Sequence, residues 1–463
     1  MGVGFSKSAG WPTILLLRFF SAPVYSTVFP QEGATVSMDD VCILGAGPAG
    51  LFAALTAAAT ARSVRVLEKQ PEPGRKLLLT GSGQCNFTHT GPIADFLTAY
   101  GGHGRFLKPA LFHFNNADAV DFFAARGVPS TTVAETGKVF PISRRAQDIL
   151  QALLSACRET RVEIRSRQGV TRLAAEEPGR FRIETAGGSV VTARRLVLAT
   201  GGQSYPATGS TGDGYRLAQA LGHRIEPPRP GLAPFFIRDF TLADLTGIAF
   251  KNLAVTLWRR GKKITTRSGD LLLTHHGVSG PVIHNLARDT APGDIATLAF
   301  APDADPDHAR RRGFAGLELR GSLKPAAWLK SFGLPQVLQR RILALAKIAP
   351  GTSAAQLSRI QRQTILRLLT AFPLEIASLG DFNQAMVTCG GVALDEINPK
   401  TMESRLVPGL YFAGEVMDID GDSGGYDLQA AWSTGALAGA SAAASLSASG
   451  HPRQASRLDN TRK

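Results

Sequence analysis

The chain has 463 residues, of which 44% are hydrophobic and 19% are charged, so it is long enough for two or three domains with sizeable cores and is not globally disordered. Its four cysteines are too widely spaced for a disulfide scaffold, a metal-binding pair or a redox dithiol, and they fit a reducing, cytoplasmic compartment. The net charge of +14 is compatible with nucleic acid, an anionic cofactor or a basic surface; because no nucleic-acid-binding motif accompanies it, we expect no nucleic-acid partner.

Residues 1–37 differ from the sequence that follows them. The apolar stretch Thr13–Phe20 is interrupted by Arg18 and is shorter than the roughly 20 residues that a membrane span needs. A signal peptide is one interpretation. We favour another, in which residues 1–37 are a non-native or disordered extension and the protein starts at Met38, because Met38-Asp39-Asp40 leads directly into a strand. We expect no membrane association.

A dinucleotide-binding turn comes next. The apolar run Val41–Leu44 predicts a strand, and the alanine-rich segment Leu51–Ala61 predicts a helix. Between them lies a GxGxxG motif, which consists of Gly45, Ala46, Gly47, Pro48, Ala49 and Gly50. The first glycine permits a tight turn, the second lets the backbone approach a pyrophosphate, and the third lets the helix pack closely on the strand. The unpaired N–H groups at the start of the helix then face the phosphates.

An acidic residue at the end of the next strand completes this pattern. Val64–Leu67 predicts a second strand, and Glu68 follows it. A carboxylate at this point accepts hydrogen bonds from the ribose hydroxyls of adenosine and disfavours a 2′-phosphate. The order of strand, turn, helix, strand and acid predicts binding of the adenosine diphosphate part of FAD or NAD, against the alternative of a glycine turn in another kind of βαβ unit.

Three distant segments favour FAD over NAD. The cationic, glycine-rich loop Gly74–Asn86 can wrap a pyrophosphate and a ribityl chain. The strand Arg195–Leu198 leads into a turn of small residues, Ala199–Gly202, and the strand Gly409–Glu415 ends in a glycine and an acid. An acid at position 415 can bind a ribityl hydroxyl, a role that NAD dehydrogenases do not require.

A glycine-rich segment near the carboxyl end leads into a last helix. Asp420–Gln429 precedes the small-residue helix Ala430–Ala444. A helix that begins here can aim its positive end at the flavin pyrimidine ring and favour the anionic reduced flavin. The alternative is a glycine-rich connection before an ordinary packing helix.

Four motifs together resemble a known family. They are GRKLLLTGSGQCNFTH at 74–89, YPATGSTGDGY at 205–215, THHGVSGP at 274–281 and NPKTMESRLVPGLYFAGEVMDIDGDSGGYDLQAAWSTG at 398–435. They are similar to those of the bacterial NAD(P)/FAD-dependent oxidoreductases, also described as aminoacetone-oxidase-family FAD-binding enzymes, which include bile-acid-reductase-like flavoproteins. The resemblance extends from Met38 to about Ala444.

The resemblance implies FAD as the cofactor and assigns candidate contacts to it. The motif glycines and Glu68 would hold the adenosine diphosphate, while the flavin and phosphates would be lined by Arg75, Lys76, Ser82, Gly83, Cys85 and Asn86. The site would be completed by Thr200, Gly201, Gly414, Glu415, Gly425, Tyr426 and Gln429. Our set of candidate contacts also includes Lys69, Gly74, Val170, Gly202 and Leu428. The chain departs from the family at Ser82 and Gln84, where GGGRCN is common, and at Asp427, where asparagine is frequent, so position 84 is not expected to supply a charge.

The region between Gly202 and about Ala377 has a different pattern. Alternating runs within 232–300, such as Leu253–Trp258 and Leu271–Thr274, predict strands of a barrel-like sheet, with a basic turn at Arg259–Lys263. Residues 306–372 predict helices. We interpret the apolar stripe of the last helix as core rather than a partner groove; its residues are Leu357, Ile360, Ile365, Leu368, Leu369 and Phe372.

The predicted fold class is therefore α/β: a two-dinucleotide-binding, Rossmann-like FAD fold that is discontinuous, with an inserted β-barrel-like region and a helical subdomain. The predicted domains are the extension 1–37, a first FAD-binding part 38–203, the insertion 204–376 with helices at about 306–372, a second FAD-binding part 377–447 and a polar tail 448–463. The inserted region should lie over the flavin and form the substrate cleft.

We assign no catalytic residue from the sequence. His275 and His276, beside Thr274, could supply a proton, but histidines at a strand end are more often structural. Cys85 has no partner cysteine and is expected to pack beside the cofactor rather than to react. No histidines and acids stand at metal-ligand spacing, so we expect no metal.

These features predict an FAD-dependent oxidoreductase that transfers hydride through flavin N5 to a small organic substrate, such as one with an activated C=C bond. NAD(P)H would be a transient electron donor, because no second glycine motif offers it a resident site. Four alternatives stay open: an amine oxidase that passes electrons to oxygen, a relative of fumarate-reductase-like flavoproteins suggested by TGSTGDGY, an RNA-associated flavoprotein suggested by the basic charge, and a non-catalytic FAD-dependent binding protein. The sequence does not define the oligomeric state.

Overall fold

The structure is a computed structural model that describes residues 38–177, 179–301 and 324–448. The predicted extension 1–37, residues 306–323 of the predicted helical region and the tail from 449 onward lie outside the described residues.

The described residues form eighteen strands and eleven α-helices. The strands are β1 Met38–Leu44, β2 Val64–Leu67, β3 Thr88–His89, β4 Ser130–Val133, β5 Lys138–Pro141, β6 Glu163–Arg165, β7 Val170–Glu177, β8 Arg180–Thr185, β9 Val190–Leu198, β10 Ile225–Gly231, β11 Phe235–Ile237, β12 Ala249–Arg259, β13 Lys262–Leu273, β14 Gly277–Ser279, β15 Ile295–Ala299, β16 Phe372–Leu379, β17 Val387–Val392 and β18 Leu410–Phe412. The helices are α1 Pro48–Ala58, α2 Ile93–Ala99, α3 Gly104–His113, α4 Asn116–Ala124, α5 Ala146–Glu159, α6 Asp213–Ala220, α7 Pro281–Leu286, α8 Pro325–Lys330, α9 Gln336–Leu345, α10 Arg359–Thr370 and α11 Tyr426–Ala448.

The central sheet joins two parts of the chain that are far apart in sequence. Its strand order is β6-β2-β1-β9-β8-β7, and β18 adds to β9. β1 lies parallel to β2 and β9, with Ile43 beside both Val66 and Val197, and Tyr411 of β18 also pairs with Val197. Because these four strands are parallel, their carboxyl ends meet at one edge, where sheets of this kind bind ligands. The predicted discontinuous Rossmann-like fold is confirmed.

Two helices pack in parallel against each other beside this sheet. A Cβ on Gly435 of α11 would overlap the carbonyl oxygen of Ala49, and a Cβ on Gly439 would overlap that of Ala53. From the first contact to the second, the position advances by four residues in both helices. α1 and α11 therefore run in the same direction and pack very closely. Trp432 is fully buried nearby and packs on Phe52, so the start of α11 is held in a fixed position relative to the start of α1.

The inserted region contains a closed six-stranded barrel, with the order β11-β14-β13-β12-β15-β16, which confirms the predicted barrel. Alternate residues of its strands point inward and are fully buried, among them Val255, Leu257, Leu298 and Ile376, because strand side chains alternate between two faces. α8, α9 and α10 share this apolar core. The predicted basic turn joins β12 to β13, with Arg259 beside Lys262.

Two small sheets complete the described structure. β3, β5 and β4 form one, and the antiparallel pair of β10 and β17 forms the other. Cys389 of β17 lies beside Arg229 of β10 in this pair. The predicted domain boundaries at 203/204 and 376/377 stay predictions.

The apolar stripe predicted for the last inserted helix was partly wrong. Ile360 is 75% exposed and Phe372 belongs to strand β16, although the remaining members of the stripe are buried. Ser358 caps α10 by accepting the N–H of Gln361, and the buried face starts only about two turns later, with Ile365 and Leu366. Periodicity alone does not mark where a helix begins and ends.

Within the three described ranges, no helix combines the length and the apolar character that a membrane crossing requires.

Candidate cofactor and active site

The turn between β1 and α1 contains three glycines, and two of them leave no room for a Cβ. Gly45 has φ +101°, and a Cβ there would lie 2.5 Å from the carbonyl oxygen of Ala199 at the end of β9. A Cβ on Gly50 would overlap the carbonyl oxygen of Gly45. Gly47 differs, because nothing lies within 4 Å of its Cβ position. The backbone at Gly47 therefore faces open space, where a pyrophosphate can approach.

The start of α1 leaves its N–H groups available. No side chain caps this end, and Pro48 stands at the first helical position, where its missing N–H costs nothing. The uncapped amides and the helix dipole favour an anion at this end.

Glu68 is placed by two backbone groups. One carboxylate oxygen accepts the N–H of Ala46 (2.8 Å) and the other accepts the N–H of Gln70 (2.8 Å). The next residue, Lys69, pairs with Asp213 of α6 and also contacts Thr211. The acid predicted for the ribose therefore stands at the carboxyl end of β2, beside the glycine turn.

Glu415 is held by a cation and two donors from other parts of the chain. The ammonium of Lys76 lies 2.7 Å from its Oε2. The backbone N–H of Thr388 (2.7 Å) and the hydroxyl of Ser204 (3.1 Å) donate to its Oε1. A Cβ on Gly202 would lie 2.8 Å from that oxygen, so Gly202 makes room for Glu415 without lining the cavity itself.

Just beyond the ends of β9 and β18 lie a buried hydroxyl group and a glycine, and both bear on what the cavity can bind. The hydroxyl of Thr200 is buried and has no hydrogen-bond partner among the described residues. Gly414 has φ +72°, and a Cβ there would lie 2.7 Å from Cβ of Ala49. A bound cofactor would give the Thr200 hydroxyl a partner, and the chain keeps the surrounding space clear. These observations fit FAD.

The start of α11 forms the opposite end of the site. Gly425 has φ +97°, and a Cβ there would lie 2.5 Å from the carbonyl oxygen of Thr88. The Tyr426 ring stacks on His89 at 5.0 Å, and its carbonyl accepts the Tyr100 hydroxyl at 2.8 Å. The helix begins at Tyr426, four residues before the predicted start, so its first turn includes Asp427 and Leu428.

The loop predicted to wrap the flavin has left-handed residues. Ser82 and Cys85 have φ near +57° and +58°. Burial raises the pKa of the Cys85 thiol to about 12, so it stays protonated and unreactive at neutral pH. The side-chain oxygen of Asn86 is buried and has no partner among the described residues.

One cavity brings most of the candidate contacts together. It is lined by Gly45, Gly47, Pro48, Ala49, Glu68, Lys69, Gly74, Arg75, Lys76, Val170, Thr200, Gly201, Gly414, Glu415 and Leu428. The other candidates are not among its lining residues; they are Ala46, Gly50, Ser82, Gly83, Cys85, Asn86, Gly202, Gly425, Tyr426 and Gln429. Gln429 is fully buried and donates to the Phe114 carbonyl and the Ser433 hydroxyl. The role of each candidate toward FAD stays a prediction.

Sequence reasoning missed several lining residues. Ser210 and Asp213 come from the YPATGSTGDGY motif, and Tyr100, Asp420 and Asp427 surround the start of α11. The motif at 205–215 was a usable signal for the first two. No local pattern distinguishes Tyr100, which reaches the cavity only because α2 and α11 are close in space.

The barrel contacts the site through the loop that precedes α11. Arg288 pairs with Asp420 (3.0 Å) and Asp422 (3.2 Å), and Arg267 pairs with Asp422 (2.8 Å). The side-chain oxygen of Asn285 accepts the N–H of Ser423 at 2.7 Å. Three side chains of the inserted region therefore fix the segment before α11, at the end of the cavity that the sequence predicts to hold the flavin (the flavin end).

The histidines of the barrel occupy different environments. His275 and His276 are exposed, and His275 contacts only the Thr246 hydroxyl, at 3.4 Å, among the described polar groups. His284 is buried, and its Nε2 lies 3.0 Å from the Ser279 hydroxyl. Burial, with the positive charge of Lys138, lowers the pKa of His284 to about 4, so it is neutral at pH 7. Among the described residues, no cluster of His, Cys, Asp or Glu could hold a metal ion.

Comparison with known proteins identifies relatives that span most of the chain. Residues 39–441 match the family described as HI0933-like protein Rossmann domain. The chain is 33% identical over 398 residues to a ribosomal RNA dihydrouridine synthase of Escherichia coli, which covers 85% of this chain and 96% of that protein. A protein of the same name from Haemophilus influenzae is 31% identical over 399 residues, covering 85% and 95% of the two chains.

A 3-dehydro-bile acid delta(4,6)-reductase of Clostridium scindens is 31% identical over 417 residues, which cover 88% of this chain and 99% of that protein. The resemblance derived from the motifs is thereby confirmed. Because the family match extends over more than half of its residues, the chain belongs to the HI0933-like family of FAD-binding Rossmann proteins and is an FAD-dependent oxidoreductase.

Proposed function

We propose that this protein takes electrons from NADH or NADPH and uses them to saturate a C=C bond conjugated to a carbonyl, with a uracil ring of ribosomal RNA as the substrate. Two relatives are named for making dihydrouridine in ribosomal RNA, and a third for reducing a 3-dehydro bile acid. Dihydrouridine is uridine whose C5=C6 bond, conjugated to a ring carbonyl, has gained two hydrogens. The names share one reaction: addition of a hydride and a proton to an activated double bond.

One observation carries the proposal: a single cavity runs from the glycine turn to the first turn of α11. When bound, FAD supplies hydride transfer through N5 of its flavin ring. The residues of this chain would bind and orient FAD. Glu68 and the start of α1 would face the adenosine diphosphate end, while the ion pair of Lys76 and Glu415 would lie beside the middle. The barrel contacts the loop Asp420–Ser423, so a substrate between barrel and sheet would reach the flavin end.

The basic hairpin of the barrel supports RNA as the substrate. Arg260, Lys262 and Lys263 are exposed at the turn between β12 and β13, and the described residues give them no ion-pair partner. From Lys263, β13 runs about 13 Å to Arg267, which pairs with Asp422 in the loop before α11. A polyanion on the hairpin would therefore lie near the flavin end. This proposal departs from the expectation of no nucleic-acid partner.

An anaerobic two-step experiment tests the reaction. The FAD-loaded protein is mixed with NADH or NADPH, and bleaching of the flavin absorption is followed. The reduced protein is then mixed with transcribed ribosomal RNA, free uridine or a 3-oxo-Δ4,6 bile acid, and both flavin reoxidation and product mass are measured. We expect bleaching by one of the two donors and a gain of two hydrogens in nucleosides of the RNA.

The other outcomes separate the parts of the proposal. If neither donor bleaches the flavin, the NAD(P)H step is wrong. If the flavin is bleached and only the bile acid reoxidises it, the reductase stands and the RNA substrate is wrong. Peroxide formed from amines without any nicotinamide would favour the oxidase alternative.

A pair of charge-reversed variants tests the hairpin. Lys262→Glu/Lys263→Glu should weaken binding of ribosomal RNA at least about tenfold and lower the salt dependence of log Kd by about two. Lys330→Glu/Lys400→Glu makes the same change in net charge at two other exposed lysines. Equal losses in the two variants would show that only net charge matters, and FAD affinity should stay unchanged in both.

A further inference from the structure

A carboxyl group at the flavin end of the cavity has an unusual setting. Asp427 lies in the first turn of α11 and lines the cavity together with Tyr100, Asp420 and Leu428. Its Oδ1 accepts the backbone N–H of Gly421 at 2.7 Å. Among the described residues this is its single hydrogen bond, so the other carboxyl oxygen has no protein partner.

Helix geometry fixes the place of Asp427 relative to the glycine turn. α1 and α11 run in parallel, with Gly435 against Ala49. Asp427 precedes Gly435 by eight residues, which corresponds to about 12 Å along the helix at 1.5 Å per residue. Asp427 therefore lies about 12 Å beyond the start of α1. An FAD whose pyrophosphate lay at the glycine turn and whose adenosine lay at Glu68 would direct its flavin ring toward this end of the cavity.

The charged groups around Asp427 oppose its ionisation. Burial is the largest cause, and the carboxylates of Asp420 and Glu415 add to it, so that the pKa of Asp427 is raised to about 8. The N–H of Gly421 and the positive charge of Arg288 act in the opposite sense. The hydroxyl of Tyr100 also faces Asp427, but it donates to the Tyr426 carbonyl. At neutral pH the group is mainly the neutral acid, and its O–H can donate.

We propose that Asp427 is a hydrogen-bond donor to the flavin end of bound FAD, through the carboxyl oxygen that makes no hydrogen bond within the described part of the chain. The pyrimidine edge of a flavin carries two carbonyl oxygens, which accept hydrogen bonds and which an aspartate anion would repel. Asp427 is thus a positioning residue for the cofactor. The inference depends on FAD binding and not on the substrate proposed above.

The sign of the pH dependence follows from the protonation state. At pH values below the pKa of Asp427, its carboxyl O–H is present as a donor and the affinity for FAD is constant. As the pH rises through this pKa, the O–H is lost and a negative charge appears beside the flavin. Linkage then predicts that the Kd for FAD rises about tenfold between about pH 7 and about pH 9. Asp427→Asn keeps a donor of the same size that does not ionise, so its Kd should stay flat over this range. Asp427→Leu should bind FAD weakly at every pH.

The experiment measures the Kd for FAD by quenching of flavin fluorescence across this pH range, using the full chain without substrate. Infrared difference spectra provide a second readout, because the C=O stretch of a protonated carboxyl should disappear with rising pH in the wild type and be missing in Asp427→Asn. A wild-type Kd that stays flat to about pH 9, or one that rises equally in Asp427→Asn, would overturn the proposal. If Asp427→Asn does not fold, the wild-type titration and its infrared spectrum decide the matter alone.

Discussion

Glu68 and Glu415 are both acids at the carboxyl ends of parallel strands, yet their surroundings suit them to different tasks. Glu68 accepts two backbone N–H groups, and no ion pair involves it among the described residues. Glu415 is neutralised by Lys76 and also accepts the N–H of Thr388. Glu68 therefore has its remaining lone pairs available for a ligand, whereas Glu415 already forms an ion pair and further hydrogen bonds within the protein.

Glu68→Gln should weaken FAD binding about 10- to 100-fold. The substitution preserves size but replaces one acceptor oxygen by an NH₂ group, which would face the N–H of either Ala46 or Gln70, and hydrogen bonds to a charged group contribute about 1.5–3 kcal/mol. Titration of the protein with FAD measures this. Glu177→Gln, at an exposed glutamate of β7, is the control and should change the Kd less than about twofold. Wild-type affinity in Glu68→Gln would exclude the assigned role of Glu68.

Among the elements, α1 and α11 determine how the two ends of the cavity are oriented. Their parallel contact depends on Gly435 and Gly439. Because these residues have no side chain, carbonyl oxygens of α1 can occupy the positions that their Cβ atoms would fill. The start of each helix faces the cavity, α1 through Gly47 and Pro48 and α11 through Asp427 and Leu428. A change in helix spacing would therefore alter both ends together.

Gly439→Ala should lower the free energy of unfolding by about 1–3 kcal/mol, because the new Cβ overlaps the carbonyl oxygen of Ala53 and forces the helices apart. Urea denaturation gives this value, and FAD titration should show weaker binding. The matched control is Gly187→Ala, whose Cβ would come no closer than 3.9 Å to another group, the hydroxyl of Thr185. If Gly439→Ala and Gly187→Ala lower the free energy of unfolding by the same amount, the close contact between the helices does not determine stability.

The elements also show what local sequence can predict. The strand Val64–Leu67 was predicted with its observed bounds, because an apolar run between a helix and an acid is a local signal. The barrel strand β11 has only three residues and pairs with β14 and β16, far along the chain, so its partners could not be derived. The candidate site followed the same rule: motif residues such as Gly47 were found, whereas Tyr100 was missed because its place depends on tertiary packing. Asp427 lies inside the motif at 398–435 and was noted only as a departure from the family.

At the scale of the whole molecule, the barrel and the Rossmann-like sheet are joined by charges. Arg288 is only 11% exposed, and it neutralises Asp420 and Asp422, which are themselves mostly buried. It also donates to the carbonyl of Ala99 at the end of α2. One guanidinium thus connects the barrel to two segments beside the flavin end.

Arg288→Met should destabilise the protein by about 3–5 kcal/mol, since it removes the cation beside the buried Asp420 and leaves Asp422 with Arg267 alone. Thermal unfolding with and without FAD measures the loss, and the stabilisation by FAD should also shrink. Arg341→Met removes a more exposed pair with Asp244 and should cost less than about 1 kcal/mol. Arg288→Met/Asp420→Asn should recover part of the stability, and no recovery would mean that the pair itself contributes little.

The late arrival of β18 has a consequence for biosynthesis. Leu196–Leu198 of β9 pair with residues 410–412, so a ribosome has to make more than two hundred further residues before that edge is covered. Until then the nascent polypeptide presents an apolar strand with unsatisfied backbone groups, which is a template for aggregation. The inserted barrel has its own core and can fold during this interval. The β9 edge is therefore the more exposed of the two to aggregation, and the coenzyme would be captured only after β18 has been made.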